Sequence, residues 1–413
     1  MKEINGGVCA PKGFTAGGIA CGIKASSKKR DLALIYSERP CAAAAMFTTN
    51  TVKAASVLVS QEHASGGAIR AVIANSGNAN ACTGGAGMDA ARKMADLAAG
   101  LLSISAKEVA VASTGVIGVP LPIDIIEKGI SALGASLSAD EAGHAAALEA
   151  IMTTDLRRKD GAVEIEIDGK TVRIGGMTKG SGMIHPNMAT MLCFITTDAA
   201  IAPDVLDACL KQAVRRSFNR LTVDGDTSTN DMVVVMANGA AGNASIAAGS
   251  PAFAAFSAAL ESLCVKLTRA MARDGEGATK LVTVTVSGAA DEAAAETLAK
   301  AIASSSLVKA ACFGADANWG RILCAMGYSG ATFNPDEVDV SFASLGAGSA
   351  ASEEIAVCRG GASLAFSEED AKRILTREEI EIRVKAGKGS GAAAAWGCDL
   401  TYDYVKINGD YRS

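Results

Sequence analysis

The chain has 413 residues, of which 49% are hydrophobic and 4% aromatic, and its formal net charge is −5. This length and apolar content suffice for two or three domains or for one large α/β body. The modest charge, with no cluster of Lys and Arg, argues against a nucleic-acid partner, and no run reaches the ~18 apolar residues that a membrane span needs.

The start of the chain and its cysteines predict a cytoplasmic protein. Residues 1–13 ("MKEINGGVCAPKG") carry an acid and glycines where a secretory signal needs an apolar block. The eleven cysteines are scattered and form no C-x-x-C pair, so neither a disulfide framework nor a zinc site is predicted. We expect the cysteines to be reduced and mostly buried.

Period-two alternation of apolar residues predicts strands along the chain. The clearest signal is a hairpin, "VEIEIDGKTVRI", in which Asp168–Gly169 turns the chain between two alternating segments. Further strands are predicted at residues 70–75, 108–113, 191–197, 281–288, 338–344 and 379–387.

Segments with helical spacing of apolar residues alternate with these strands. They predict helices over residues 88–102 and 251–273. Residues 291–300 begin with acids and continue into alanines, as the N-terminus of a helix does. The alternation favours a layered α/β architecture with mostly antiparallel or mixed sheets, and no composition shift marks a domain boundary.

Few residues are available for conventional acid–base or metal chemistry. The Ala, Gly and acidic neighbours of His63 and His144 predict surface positions, so a Ser–His–Asp triad would need His185, and no G-x-S-x-G elbow accompanies it. "VDGDTSTND" (223–231) fails as a calcium loop, because it lacks the required Gly and closing Glu. "TKGSGMIHP" (178–186) lacks the G-K-[ST] of a phosphate loop.

A threonine in "MATML" (188–192) offers a nucleophile that needs no histidine. If the bond Ala189–Thr190 is cut, the α-amine of Thr190 becomes the base for its own hydroxyl, because such an amine has a pKa of about 7.7–8.0. Gly180 and Gly182 would give the preceding backbone the freedom that such a cut requires. The alternative is that Thr190 is an ordinary residue of a half-buried strand.

The stretch "KGSGMIHPNMATMLCFITTDA" (179–199) closely resembles the cleavage-site motif of the arginine-biosynthesis ornithine acetyltransferase family. Its members are glutamate N-acetyltransferases, often bifunctional with N-acetylglutamate synthase activity. The resemblance spans essentially the full length, and its further motifs follow in the family's order: "GFTAGGIACGIKASSKKRDLALI" (13–35), "IANSGNANACTG" (73–84), "ASTGVIG" (112–118), "IMTTD" (151–155), "VDGDTSTND" (223–231), "ARDGEGATK" (272–280), "FGADANWGRI" (313–322) and "CDLTYDYVKINGDYRS" (398–413).

The resemblance implies a precursor that cuts itself before Thr190. The products would be an α chain, Met1–Ala189, and a β chain, Thr190–Ser413, which remain together, typically as an α2β2 assembly. The implied fold is a layered α/β sandwich of mixed sheets flanked by helices, related to but topologically distinct from the N-terminal-nucleophile hydrolases.

The resemblance also implies a ping-pong reaction. Thr190 Oγ takes the acetyl group from N2-acetylornithine, ornithine leaves, and glutamate then collects the acetyl group from the enzyme. No metal or cofactor is expected. Whether acetyl-CoA also serves as acetyl donor, which distinguishes bifunctional from monofunctional members, is left open.

Other functional positions of the family fall on a small set of residues. Thr114 and Gly115 in "ASTGVIG" match the oxyanion pair. From charge, we expect Lys179 to meet an α-carboxylate and Glu276 to meet the side-chain amine of ornithine. The substrate-binding positions match Thr153 or Thr154, Lys179, Thr190, Glu276, Asn408 and the terminal Ser413.

Two other functions remain open from the sequence. One is an aminopeptidase or amidase of the related self-cleaving fold, although those relatives generally use a Ser nucleophile in a different local motif. The other is a non-catalytic ligand-binding module that keeps the fold without the cut. The roles of "FGADANWGRI" and "VDGDTSTND" are unassigned.

Overall fold

A computed structural model describes residues 1–24, 27–185, 191–344 and 352–410 of the chain. The chain divides into two compact units. Unit 1 comprises Met1–Gly180, Pro186–Asn219 and Thr227–Leu267, and unit 2 comprises Ser181–His185, Arg220–Asp226 and Thr268–Ser413. The predicted division into α and β chains is a separate matter, because the bond Ala189–Thr190 lies outside the described residues.

Unit 1 is built on two mixed sheets. Within the described residues, the larger sheet has the strand order β1-β7-β8-β9-β10-β4 and the smaller has β2-β3-β5-β6. β9 pairs in parallel with β10, and β5 with β6, whereas the other neighbours are antiparallel. The strands are β1 (Lys2–Ile4), β2 (Phe14–Ile19), β3 (Leu32–Ser37), β4 (Ala42–Phe47), β5 (Ala71–Asn78), β6 (Val109–Val116), β7 (Asp160–Ile167), β8 (Lys170–Lys179), β9 (Leu192–Thr197) and β10 (Met232–Ala237).

Helices cover these sheets and complete the cores of unit 1. They are α1 (Ala55–Ala64), α2 (Gly84–Leu102), α3 (Ile123–Ala135), α4 (Glu141–Ile151), α5 (Pro203–Arg216) and α6 (Pro251–Arg273), whose last residues belong to unit 2. The side-chain alternation of β3 shows the layering: Leu32 and Leu34 join the core with α2 and α3, whereas Ala33 and Ile35 join the core shared with the larger sheet.

Unit 2 has a third mixed sheet. Among its described residues the strand order is β14-β13-β12-β15-β11-β16, with β11 and β15 parallel. Its strands are β11 (Leu281–Ala289), β12 (Asp339–Ser344), β13 (Glu353–Arg359), β14 (Ala362–Ser363), β15 (Glu379–Lys385) and β16 (Gly391–Cys398). Its helices are α7 (Glu292–Ser304), α8 (Ser306–Gly314), α9 (Trp319–Gly327), α10 (Glu368–Leu375) and α11 (Tyr402–Gly409).

The expected α/β class, with mixed sheets flanked by helices, is confirmed in each unit. The predicted hairpin is β7–β8, and its turn residues Asp168 and Gly169 have φ of 50° and 71°, which is the left-handed backbone that a tight hairpin turn favours. None of the helices in the described ranges is both long enough and apolar enough to cross a membrane.

The prediction for His144 is wrong, because this histidine is fully buried. Its Nδ1 accepts the Val8 N–H at 3.4 Å, and its Nε2 donates to Asp160 at 3.0 Å. The polar neighbours in sequence misled the prediction, since they occupy other faces of α4 while the His144 face packs inward. His63 is half-buried, and its Nδ1 lies 2.8 Å from the Val109 carbonyl.

The expectation for the cysteines is confirmed. All eleven are free, and eight of them are buried.

Candidate active site

The predicted oxyanion pair lies at the end of β6, against the end of β5. In this parallel pair Ser76 is opposite Thr114 and Gly77 is opposite Gly115, and the register becomes irregular at Asn78. Gly115 has a φ of 135°, and a Cβ there would lie 2.5 Å from the Asn78 nitrogen and closer still to the Gly77 carbonyl group. Glycine is therefore required for the two strand ends to approach each other.

Asn230 ties this strand end to the start of β10. Its Nδ2 donates to the carbonyls of Ala79 at 2.6 Å and Ser113 at 2.8 Å, and its Oδ1 accepts from Thr229 Oγ1 at 2.6 Å. The side chain is buried. The amide thus fixes the carbonyl group that directly precedes Thr114.

Lys179, the last residue of β8, places a cation beside the predicted oxyanion pair. Its Nζ lies 3.4 Å from Thr114 Oγ1, and the residue is buried. An ammonium with a hydroxyl next to it in a buried setting can bind an anionic group such as a carboxylate through charge-assisted hydrogen bonds.

Asp155 fixes two of the predicted binding segments at once. Its carboxylate accepts the N–H of Thr153 at 2.9 Å and of Gly180 at 2.8 Å, and the ammonium of Lys159 at 2.6 Å. Burial acts to raise the pKa of Asp155, but the Lys179 and Lys159 ammonium groups outweigh it and hold that pKa well below its usual range. The ionised Asp155 therefore links the turn after α4 to the end of β8.

The turn after α4 carries both threonine candidates, and a second lysine approaches it. Thr153 and Thr154 are both half-buried, so their exposure does not choose between them. Lys24 Nζ donates to the Met152 carbonyl at 2.8 Å and to the Arg30 carbonyl at 3.0 Å. Burial lowers the pKa of Lys24 to about 8.

Unit 2 brings two other predicted residues into contact. Asn408, on α11, donates from Nδ2 to Glu276 Oε2 at 2.8 Å. The Glu276 N–H donates to the Ser181 carbonyl at 2.9 Å. A Cβ on Gly182 would lie 2.5 Å from Glu276 Oε1, so this glycine is needed for the carboxylate to lie against the chain there.

Asp224 holds the backbone that precedes the predicted cleavage site. Its carboxylate accepts the N–H of Met183 at 2.6 Å and of Ile184 at 2.8 Å. Met183 has a φ of 56°, which is uncommon for a residue with a side chain. The two hydrogen bonds offset this unfavourable conformation.

His185 is poorly suited to act as the base of a triad. Its Nδ1 lies 3.0 Å from Thr222 Oγ1. Burial, reinforced by the nearby Lys300 charge, lowers the pKa of His185 to about 4. A neutral imidazole with so low a pKa is a weak proton acceptor near neutral pH.

One group of side chains in the described ranges has metal-ligand chemistry. The ligand atoms of Glu141, His144 and Asp160 lie within 4.8 Å of one another. Both ring nitrogens of His144 are already engaged, however, by the Val8 N–H and by Asp160. This arrangement is accounted for as a buried histidine held by hydrogen bonds.

The predicted residues therefore fall into two described groups. Thr114, Gly115, Lys179 and the Thr153–Thr154 turn lie in unit 1, and the Glu276–Asn408 pair lies in unit 2. Ala189, Thr190 and Ser413 lie outside the described residues.

Sequence reasoning missed the residues that hold these groups in place, above all Asn230, Asp155 and Lys159. A usable signal exists for two of them: Asn230 lies in a polar run that directly precedes the apolar "MVVVMA" strand, and Asp155 follows the two candidate threonines. Their partners, however, lie far away in the sequence or on the backbone.

The model of the ArgJ family matches residues 15–413. The chain belongs to the ArgJ family. The family resemblance carried by the motifs is thereby confirmed over nearly the whole chain.

Two ArgJ relatives share about half of their residues with this chain. Each bears the name "Arginine biosynthesis bifunctional protein ArgJ". The protein of Symbiobacterium thermophilum is 53% identical over 414 residues, and that of Caldanaerobacter subterraneus is 51% identical over 413 residues; both alignments cover 100% of either chain. A solved ornithine acetyltransferase of Mycobacterium tuberculosis, complexed with ornithine, is 45% identical over 46% of this chain and 99% of its own, with a TM-score of 0.43.

Proposed function

We propose that this ArgJ protein is a glutamate N-acetyltransferase of arginine biosynthesis, which moves acetyl from N2-acetylornithine to glutamate. The observation that carries the proposal is the family match over residues 15–413. Full-length identity of about half to relatives named for arginine biosynthesis supports it, and so does the uninterrupted "HPNMATML" motif.

The first reaction is self-cleavage before Thr190. The Thr190 hydroxyl adds to the Ala189 carbonyl, the carbon–nitrogen bond breaks, and the hydroxyl proton ends on the freed nitrogen. Water then hydrolyses the ester. The products are Met1–Ala189 and Thr190–Ser413, and the second begins with an α-amine beside its own hydroxyl.

Turnover uses that amine as the base. It accepts the Thr190 hydroxyl proton while Oγ attacks the acetyl carbonyl of acetylornithine, and the same proton then leaves with the ornithine amine. The amine of glutamate attacks the acetyl-enzyme in the second half-reaction. Thr114 and Gly115 stabilise the oxyanion in both halves. Loss of one such donor typically costs about 3–4 kcal/mol of the barrier.

Charge assigns the substrate contacts. The buried Lys179 ammonium suits the α-carboxylate that both amino acids carry, and its 3.4 Å contact with Thr114 Oγ1 supports a position next to the oxyanion donors. Glu276, held by Asn408, suits the side-chain ammonium of ornithine. Thr153 or Thr154 and the terminal Ser413 complete the proposed binding residues.

The remaining parts of the proposal concern assembly and a second donor. The α and β chains stay associated in an α2β2 assembly in the cytoplasm, and the reaction needs no metal or cofactor. The word "bifunctional" in the names of the relatives favours acetyl-CoA as a second acetyl donor for glutamate.

Denaturing mass spectrometry together with one assay tests the proposal. Purified protein should give two chains whose masses sum to that of the 41.6 kDa precursor plus one water, and Thr190→Ala should stay uncut. Acetylornithine should lose its acetyl group to glutamate when glutamate is present. Release of acetate at the same rate without glutamate would indicate the amidase alternative, and an inactive uncut wild type would indicate a binding module.

A further inference from the structure

Asp231 is an unusual residue in unit 1 that the sequence left without a role. It directly precedes β10, it is buried at 3% exposure, and its Oδ2 has no hydrogen-bond partner among the described residues. A buried polar atom without a partner typically costs about 1–3 kcal/mol. Such an atom in a folded protein therefore calls for an explanation, of which a catalytic role is one.

The surroundings of Asp231 include Met191, the residue that follows Thr190 in the sequence. Ser228, the backbone of Met191 and the Lys179 charge all act on this carboxyl group and favour its ionised form. The strand register agrees, because Met232 lies opposite Leu192 in the parallel pair β9–β10 and donates to the Met191 carbonyl at 2.8 Å.

Covalent geometry extends this contact by one residue. The Met191 nitrogen is joined through only two backbone carbons to the nitrogen of Thr190, so the two nitrogens are within about 4 Å of each other in any conformation. The Thr190 nitrogen is the atom that loses its acyl group in self-cleavage and acts as the base in turnover. Asp231 directly precedes Met232, which donates to the carbonyl of Met191, the residue that follows Thr190 in the sequence.

We propose that Asp231 carries the proton for the Thr190 nitrogen, first in self-cleavage and then in acetyl transfer. The proposal rests on the proposed function. It assigns part of the "VDGDTSTND" motif, whose last residue is Asp231.

In self-cleavage the Asp231 carboxyl group gives up one proton and receives another. As the bond from Thr190 Oγ to the Ala189 carbonyl carbon forms and the carbon–nitrogen bond breaks, the Asp231 acid gives its proton to the departing nitrogen. The Thr190 hydroxyl proton then restores the acid. Asp231 ends unchanged, and water hydrolyses the ester in the next step.

The environment of Asp231 suits the acid form that this step requires. Burial raises the pKa of Asp231 well above its usual range, and the opposing effects of Ser228, Lys179 and Met191 do not cancel it. Once the α-amine exists, it accepts the Thr190 hydroxyl proton as the base of turnover. The ammonium that results shares this proton in a hydrogen bond with the Asp231 carboxyl group until it passes to the leaving ornithine amine.

Asp198 offers a matched comparison at the opposite end of β9. It is also a buried aspartate whose pKa is raised by burial. Both of its oxygens are used, however, since Oδ1 accepts the Arg173 N–H at 2.7 Å and Oδ2 accepts the Lys12 N–H at 3.1 Å. The hydrogen bonds of Asp198 account for its burial, whereas Asp231 retains an oxygen without a partner in the part of the chain that the structure describes.

The experiment compares Asp231→Asn with Asp198→Asn in the full chain. Fresh precursor is followed by mass spectrometry for the rate of self-cleavage, and matured protein is assayed for kcat and KM with acetylornithine and glutamate. Asp231→Asn should slow both self-cleavage and kcat by about 10²- to 10⁴-fold with little change in KM. Asp198→Asn should leave both rates close to wild type.

Thermal unfolding separates a proton-carrying role from a structural one. The Asp231→Asn precursor should unfold at or above the temperature of the uncut Thr190→Ala variant, because an amide is neutral when buried, whereas Asp231 must bind a proton to become neutral. Wild-type rates in Asp231→Asn would overturn the proposal, as would a lower unfolding temperature with a raised KM. A wild type that neither cuts nor transfers acetyl would instead refute the proposed function.

Discussion

Single residues in unit 1 control how closely backbone segments approach each other. At Gly115 the β6 backbone is so close to Gly77 that no Cβ fits, and the positive φ adds a second reason for glycine. At Asp155 one carboxylate replaces water as the partner of two backbone N–H groups and an ammonium. The candidate site is therefore sensitive to changes of a few atoms.

Gly115→Ala should lower kcat strongly and the free energy of unfolding only moderately. The new methyl group must displace the Gly77–Asn78 backbone, which moves the proposed oxyanion donors, and we expect kcat to fall by about 100-fold or more. Acetyl-transfer assays and denaturant unfolding measure the two effects. Gly100→Ala in α2 is the control, since nothing lies within 4 Å of its added Cβ, and it should preserve kcat and slightly raise stability.

Asp155→Asn should lower the free energy of unfolding by about 3–5 kcal/mol, because it leaves the buried Lys159 without its counter-charge. Urea unfolding at pH 7 measures the loss. The matched control is Asp207→Asn, which breaks the Asp207–Lys211 pair of the same i,i+4 spacing on the exposed surface. It should cost less than about 1 kcal/mol, and equal losses in the two variants would contradict the interpretation.

The same residue gives stability a defined pH dependence. The pKa of Asp155 is lower in the folded protein than in the unfolded chain, so its contribution is present above the unfolded value of about 3.9. It is lost as the pH falls below that value through the folded pKa. The free energy of unfolding, measured between pH 7 and pH 3, should therefore fall more steeply below about pH 4. In Asp155→Asn this fall should be weaker.

At the scale of elements, sequence periodicity predicted the strands and helices whose neighbours are local. The β7–β8 hairpin was predicted with its turn, and the helix predicted over 251–273 is α6. α2 begins four residues before the predicted start, because Gly84–Gly87 carries no apolar periodicity to signal it. β4, which reads "AAAAMF", is a strand only through its pairing with β10, which no local pattern reveals.

A single substitution at the C-terminal end of α2 should raise the stability of the protein. Its C-cap residue, Ser103, is exposed and has a left-handed backbone with φ of 54°. Ser103→Gly removes the cost of a side chain in this conformation and should raise the free energy of unfolding by about 0.5–1 kcal/mol without changing kcat. Denaturant unfolding checks the gain, and a destabilised variant would show that the Ser103 side chain stabilises the helix end in another way.

At the scale of the whole molecule, most of the cysteines are buried and so protected from reagents in solution. Cys82 and Cys324 are exposed, whereas burial raises the pKa of thiols such as Cys9 and Cys312 to about 12. A thiol reagent near neutral pH should therefore modify two cysteines quickly in the folded protein and all eleven after denaturation. Cys21 is partly buried and could also react. Rapid labelling of any of the eight buried cysteines would contradict the described packing.

The candidate site was less accessible to sequence reasoning than the fold. Lys179, Thr114 and Gly115 were predicted through the family resemblance, and residue spacing alone would have left them as a loop lysine and a turn. Asn230 joins Ala79 and Ser113, which lie more than 110 residues away, so no local pattern records its role. His144 was misplaced for the same reason, since its partners Val8 and Asp160 are brought in by tertiary structure.

The position of β9 decides what a chain break before it would do to the protein. β9 lies between β8 and β10, and the antiparallel register from Ile174 opposite Thr197 to Lys179 opposite Leu192 joins it to the chain that precedes the proposed cut. The two polypeptides would contribute neighbouring strands to the same β-sheet. Their separation would require the rupture of a central hydrogen-bonded ladder, so partners once formed should never exchange under native conditions.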